Sequence, residues 1–183
     1  MLGVEDLLSS SAYRRLRPQV RVRVAETRRA RRVRLGPSAV ALFENRETVL
    51  YQIHEVLRCE GDGPGRARRV LRDYAPIFPR PGELQATAML DGSNHHETRA
   101  VGELLSCPGA LRLCVGDQCC GSRVAAPSWG EDDPIRYLRW RPCAAWVRAL
   151  ESAKERVRIE LGPPGCVVGV VDPAILRCDL SEG

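Results

Sequence analysis

The chain has almost no lysine: of its 28 basic residues only Lys154 is not arginine. Aromatic residues are scarce, at 5%. No apolar run reaches the roughly 18 residues that a membrane-crossing helix needs. The opening MLGVEDLLSSSAYRR places acids ahead of any apolar stretch and has no secretory core. These absences argue against a membrane or secreted protein and set a cytoplasmic expectation. CxxC pairs are also missing, although there are eight cysteines, at 59, 107, 114, 119, 120, 143, 166 and 178. A zinc ribbon or a thioredoxin-type centre needs that spacing. The thiols are therefore expected to be mostly reduced core or surface groups, and the neighbours Cys119 and Cys120 are badly placed to bridge each other. HExxH, GxSxG, GxGxxG and P-loop signatures are absent, so no catalytic class or cofactor is indicated.

What is present is an ordinary globular composition, 44% hydrophobic over 183 residues, enough for one domain. We expect a single α+β domain over 1–183, with a basic helical segment over 1–35 and a main body over 36–183. The net charge is +5 and unevenly spread. Arg14, Arg15, Arg17, Arg21, Arg23, Arg28, Arg29, Arg31, Arg32 and Arg34 lie within 21 residues that hold one acid, Glu26.

Periodicity places a short helix at Val4–Leu8 and a longer one over Ala12–Val33, with a break or kink at Pro18. Ser38–Phe43 reads as a buried strand. Asn45 caps a helix running to about Cys59, with Glu47 in its first turn. A third helix is expected at Arg66–Tyr74, then an extended stretch imposed by Pro76, Pro79 and Pro81. Leu84–Leu90 suits a strand and Glu97–Leu105 a helix. Ala110–Val115 and Arg123–Ala126 suggest a hairpin around GDQCCG. Ile135–Trp140 alternates as a strand, Pro142 opens a helix through Leu150, and Arg156–Leu161 and Cys166–Val171 are two further strands. This order implies N-terminal helices packed on a largely antiparallel sheet.

The stretch Phe43–Glu60 carries more polar detail than packing requires. Val49, Leu50, Ile53, Val56 and Leu57 share one helical face, while Tyr51, Glu55 and Arg58 lie opposite at i, i+4 and i+7. The pattern FE-x-R-x-T-V-x-Y-Q-x-x-E-x-L-R-x-E, here Phe43 to Glu60, resembles the uncharacterised bacterial family catalogued as domain of unknown function 3501. Upstream, LRPQVRVRVAETRRARRVRLGP (Leu16–Pro37) is similar to that family's basic helix and Leu-Gly exit. Downstream, LRDYAPIFPRPGELQATAML (Leu71–Leu90) is similar to its Tyr-x-Pro-x-x-Pro and Leu-x-Ala-Thr elements, and IRYLRW to a late strand. The resemblance covers residues 4–90 well and the remainder loosely. The chain departs from the family at Asp172-Pro173, where a His-Pro followed by a tyrosine is the pattern. A Lys-Thr/Ser pair before the late aromatic strand is also missing. The resemblance implies a bacterial cytoplasmic protein in a redox or peroxide-stress setting, with an iron–sulfur oxidoreductase or rubrerythrin-like protein as partner.

Three functions follow as expectations. The first is a non-catalytic accessory or regulatory protein, with Arg28, Arg29, Arg31 and Arg32 meeting an acidic partner. Here Glu44, Arg46, Gln52, Glu55 and Arg58 form an ordered polar network. The same network has a plainer reading, a structural tie between the helix and the strand before it. The second is a metal-dependent enzyme or sensor using His54, Glu55, Glu44, Glu60, His95 and His96. Adjacent His54 and Glu55 point about 100° apart on a helix, which disfavours convergence. The third is nucleic-acid binding by the arginine-rich helix, against which stand the scarce aromatics and the less basic C-terminal half.

Overall fold

The structure, a computed structural model, describes residues 2–61, 65–91, 94–126 and 133–181. After a 3-10 turn at Val4–Asp6, α1 spans Ser10–Arg31 and leads directly into β1 (Arg32–Leu35) and β2 (Ala39–Glu44). Two helices follow, α2 (Arg46–Glu60) and α3 (Arg66–Tyr74), then β3 (Leu84–Leu90) and α4 (His95–Ser106). The second half runs β4 (Leu111–Val115), β5 (Gln118–Gly121), β6 (Arg123–Ala126), β7 (Ile135–Trp140), α5 (Ala144–Ser152), β8 (Val157–Leu161), β9 (Val167–Val171) and α6 (Pro173–Ser181). The strands form two antiparallel sheets, ordered β1-β2-β3-β7-β6 and β5-β4-β8-β9. The α+β expectation holds, with two sheets in place of one. No helix among the described residues is long and apolar enough to cross a membrane.

Local chemistry explains the elements the sequence announces. Asn45 and Thr48 cap α2 reciprocally: the Asn45 side chain accepts from the Thr48 amide at 2.9 Å, and the Thr48 hydroxyl accepts from the Asn45 amide at 3.0 Å. Gly61, with φ of +83°, ends the same helix, and its amide reaches Leu57 O. Ser9 caps α1 through the Ala12 amide. The expected break at Pro18 does not occur; α1 is continuous through it. Pro18 is exposed, and the helix is anchored to α2 on either side of it, so one missing backbone bond is tolerated.

The larger core lies on one face of the five-stranded sheet. Ala41, Phe43, Leu84, Ala86, Leu138 and Trp140 of that sheet meet Leu111, Leu113, Ile159 and Leu161 of the other, with Trp146 and Leu150 from α5 and Leu176 from α6. Both buried indoles are satisfied, Trp140 by Leu111 O and Trp146 by Leu113 O. The sheets meet where β9 passes β1: Gly36 N donates to Val168 O. A Cβ at Gly169 would lie 2.5 Å from Arg34 O, so only glycine permits that approach. A second, smaller cluster, Val49, Ile53, Val70 and Leu71, fills the helical layer on the opposite side.

Several elements differ from expectation. The first long helix stops at Arg31, because Val33 and Leu35 alternate inward against β2 as a strand. Leu111–Val115 forms its hairpin with Gln118–Gly121, not with Arg123–Ala126. The latter strand crosses to the other sheet and pairs with β7. The two-residue turn Gly116-Asp117 suffices for the tighter hairpin. α6 begins at Pro173, where Asp172 caps it through the Ala174 amide.

Candidate functional site

The polar residues of α2 fall into two sets facing opposite ways. On the sheet side, Glu44 is 1% exposed, and no arginine pairs with it. It accepts instead from Gln52 Nε2 at 3.0 Å, from Thr87 Oγ1 at 2.8 Å and from Thr48 Oγ1. Three neutral donors on one carboxylate satisfy it without a buried cation. Register puts Glu44 opposite Gln85, and Gln85 opposite Arg139, a polar row across three strands. Arg139 donates to Gln85 Oε1 at 3.1 Å and to Pro76 O, and pairs with Glu83 at 3.0 Å. Gln85 Nε2 is buried without a hydrogen-bond partner. Tyr74 and Tyr137 lie near this row, and burial pushes both phenols up. Through Thr48 and Gln52 of α2 and Thr87 of β3, Glu44 ties α2 to the sheet.

On the other side of α2, Glu55 grips α1. Tyr13 donates its hydroxyl to Glu55 Oε1 at 2.7 Å, and Arg17 clasps both oxygens at 2.7 and 2.9 Å. Arg58 adds a longer contact of 3.4 Å from the same helix. The Arg17 guanidinium, helped by the Tyr13 hydroxyl, holds the Glu55 carboxyl down at about 2. Burial pushes the Tyr13 phenol up, and the Glu55 contact pushes it further. The Tyr13 ring stacks on His54 at 4.6 Å between centroids.

His54 is committed to the same joint. Its Nε2 accepts from the Leu8 amide at 3.0 Å, so its Nδ1 donates to Leu50 O at 2.7 Å. With both ring nitrogens used, no lone pair is left for a metal. His95 and His96 are exposed in the first turn of α4. Glu60 serves Arg66 and Arg69. The one cluster of three metal-capable side chains among the described residues is Cys114, Cys119 and Glu160, which contains none of the proposed ligands.

Of the five residues expected to act together, Glu44 and Gln52 meet, Glu55 and Arg58 meet, and Arg46 stands apart, paired with Asp6. The Gly3 amide, with Arg46 as a lesser cause, keeps the Asp6 carboxyl below the ordinary range. Of the four arginines expected to meet a partner, Arg31 is buried and pairs with Asp179 of α6 at 2.7 Å. Arg32 begins β1. Arg28 and Arg29 remain on α1, half-buried and exposed respectively. Arg14, Arg15 and Arg21 are exposed on the same helix. Among the described residues none of Arg14, Arg15, Arg21, Arg28 or Arg29 forms an ion pair. Arg14, Arg21 and Arg28 recur at seven-residue spacing, so they lie along one stripe about 21 Å long. A cleft beside that stripe is lined by Pro18, Arg21, Val22, Ala25, Arg28 and Tyr51. Val22 is 63% exposed and Leu16 42%.

Sequence reasoning missed Tyr13, Thr48, Thr87 and Asp179 as members of these clusters. Thr48 and Thr87 sit inside the motifs quoted above, which was a usable signal. Tyr13 and Asp179 carried none, since their partners lie 42 and 148 residues away.

The family model described as "Protein of unknown function (DUF3501)" matches residues 1–165. A crystal structure of a protein of unknown function from Burkholderia pseudomallei K96243 superposes with a TM-score of 0.79 at 25% identity, covering 99% of this chain and 98% of that one. No curated protein matches the chain.

Proposed function

We propose that this chain, which belongs to the DUF3501 family, is a non-catalytic accessory protein that docks an acidic protein surface on the exposed arginine stripe of α1. The observation that carries this reading is the contrast within one helix. Arg17, Arg23 and Arg31 are consumed by Glu55, Glu47 and Asp179, whereas Arg14, Arg15, Arg21, Arg28 and Arg29 have no carboxylate. The consumed arginines hold α1 in place; of the others, Arg14, Arg15, Arg21 and Arg29 are exposed and Arg28 lies half-buried at the cleft. Planar guanidinium groups suit bidentate recognition of carboxylates, and exposed Val22 in the adjoining cleft supplies the apolar contact that interface cores use. The joints beneath form a chain of supports: sheet to α2 through Glu44, then α2 to α1 through Glu55. A rigid mount lowers the ordering cost of binding. The family resemblance makes an iron–sulfur oxidoreductase or a rubrerythrin-like protein the first partner to try.

The reading is tested with the full chain by fluorescence anisotropy against a labelled glutamate-rich 20-residue peptide and a 20-base-pair duplex, both near physiological salt. Binding of the peptide, lost in the combined variant Arg14→Glu, Arg21→Glu, Arg28→Glu, is the expected result. Preference for the duplex would transfer the stripe to nucleic acid, and equal binding by the reversed variant would remove it from the account.

A further inference from the structure

A different surface carries a second chemistry. Cys114 on β4 and Cys119 on β5 are direct partners across the hairpin and form a disulfide. We propose that this hairpin is a thiol–disulfide exchange site that accepts two electrons from an external dithiol, with Cys119 the sulfur attacked and Cys114 the leaving thiolate. This goes beyond the docking function and does not depend on it.

The assignment of roles follows from burial. Cys114 is 1% exposed, whereas Cys119 is exposed. Cys119 is therefore the half of the bond that an incoming thiolate meets first, and Cys114 is the buried half. Charged groups on the neighbouring strand bear on the charge that then develops. Arg158 is the register partner of Cys114 on the adjacent strand, and its guanidinium is tied over the hairpin by a 2.9 Å bond to Gly116 O. Arg112, two residues before Cys114, shares its face of β4. Glu160 lies within 4.8 Å of both sulfurs and holds these arginines, at 3.2 Å to Arg112 and 3.8 Å to Arg158. The Gly165 amide, followed by Arg112, keeps the Glu160 carboxyl below the ordinary range, so it remains an anchor and gives up no proton. The two guanidinium groups offset the Glu160 carboxylate, whose charge would otherwise oppose a thiolate on the leaving sulfur.

The bond contributes little as a structural staple. Its sequence separation is 5, and β4 and β5 already pair at four positions. Short loops gain the least from closure. The neighbouring thiol does not interfere: Cys120 alternates to the core side, opposite Leu113, and burial pushes it up to about 11.

The step balances as two displacements. One thiolate of the dithiol bonds to Cys119 Sγ, and the S–S electron pair leaves on Cys114 Sγ, which takes a proton from solvent. The second thiolate then displaces Cys119. The dithiol ends as its own disulfide, having lost two electrons, and the protein ends with two thiols.

The test uses the full chain, isolated without reductant and alkylated before digestion. Cys114 and Cys119 are expected to be linked, to be reduced by dithiothreitol within minutes with the circular dichroism unchanged, and to re-form with oxidised dithiothreitol. Cys114→Ser should take up glutathione from oxidised glutathione at Cys119. Arg158→Met should slow reduction by about fivefold, with Arg158→Lys within about twofold of the parent, because leaving-group basicity sets part of the rate. The proposal fails if the bond resists dithiothreitol until the protein unfolds, if Cys119 takes up no glutathione, or if Arg158→Met leaves the rate unchanged. It also fails if the reduced protein holds one zinc per chain and cannot re-oxidise, which would assign Cys114, Cys119 and Glu160 to a metal.

Discussion

Replacing Glu55 by glutamine removes a charge while keeping the side chain's shape. In the folded chain the carboxyl is lowered from 4.5 to about 2, chiefly by Arg17. At about 1.4 kcal/mol per unit, that difference corresponds to at most ~3.5 kcal/mol. The side chain is 21% exposed, and solvent screening reduces the figure to about 2 kcal/mol. A group lowered on folding stabilises the fold above its unfolded value of 4.5 and loses that contribution as pH falls through its folded value. Glu55→Gln should therefore unfold about 4–8 °C below the parent at pH 7, at roughly 2–4 °C per kcal/mol for a chain of this size. The gap should be constant above about pH 5 and close steadily between pH 4.5 and pH 2. Thermal unfolding followed by circular dichroism at half-unit pH steps measures it. A gap below about 0.5 kcal/mol at pH 7, or one that persists undiminished to pH 2, would refute the clamp as described. The same variant keeps every exposed arginine, so weaker binding of the acidic peptide would trace to the loosened helix alone.

The Glu44 cluster should be costly to break: Thr87→Val removes one of the two donors to the buried Glu44 Oε1, for about 1–3 kcal/mol in urea unfolding. Arg31→Met removes the buried cation from Asp179 and should cost about 3–5 kcal/mol, whereas adding Asp179→Leu should restore most of it in a double-mutant cycle. His54→Phe keeps the stack on Tyr13 but orphans the Leu8 amide, and hydrogen exchange at Leu8 should rise while the rest of the chain is unaffected.

Local signals read well where they were sufficient. The Asn45 cap, the α2 register, Arg66–Tyr74 and Leu84–Leu90 all depend on residues within one element. β1 did not read well, because RVRL continues an arginine-rich helical text and only its contact with β2 makes it a strand. β5 was hidden in GDQCCG, which lacks branched residues and is a strand only through β4. The Cys114–Cys119 bond followed from that hairpin and from nothing in the cysteine spacing. The polar face of α2 was legible as unusual, but its meaning was not. A helical wheel shows Glu55 beside Arg58, while the dominant partners, Arg17 and Tyr13, arrive from another helix. Likewise the ten arginines could be counted but not sorted into those that brace α1 and those that face outward.

The central claim is that the outward arginines of α1 form the binding surface. It is tested most directly by titrating the isotope-labelled chain with the glutamate-rich peptide and following amide and arginine Nε resonances. The account predicts shifts along α1 from Arg14 to Arg29 and at Tyr51, with Arg31 and the β4–β5 hairpin unmoved. Shifts centred elsewhere, or none at peptide concentrations that saturate the anisotropy signal, would contradict it.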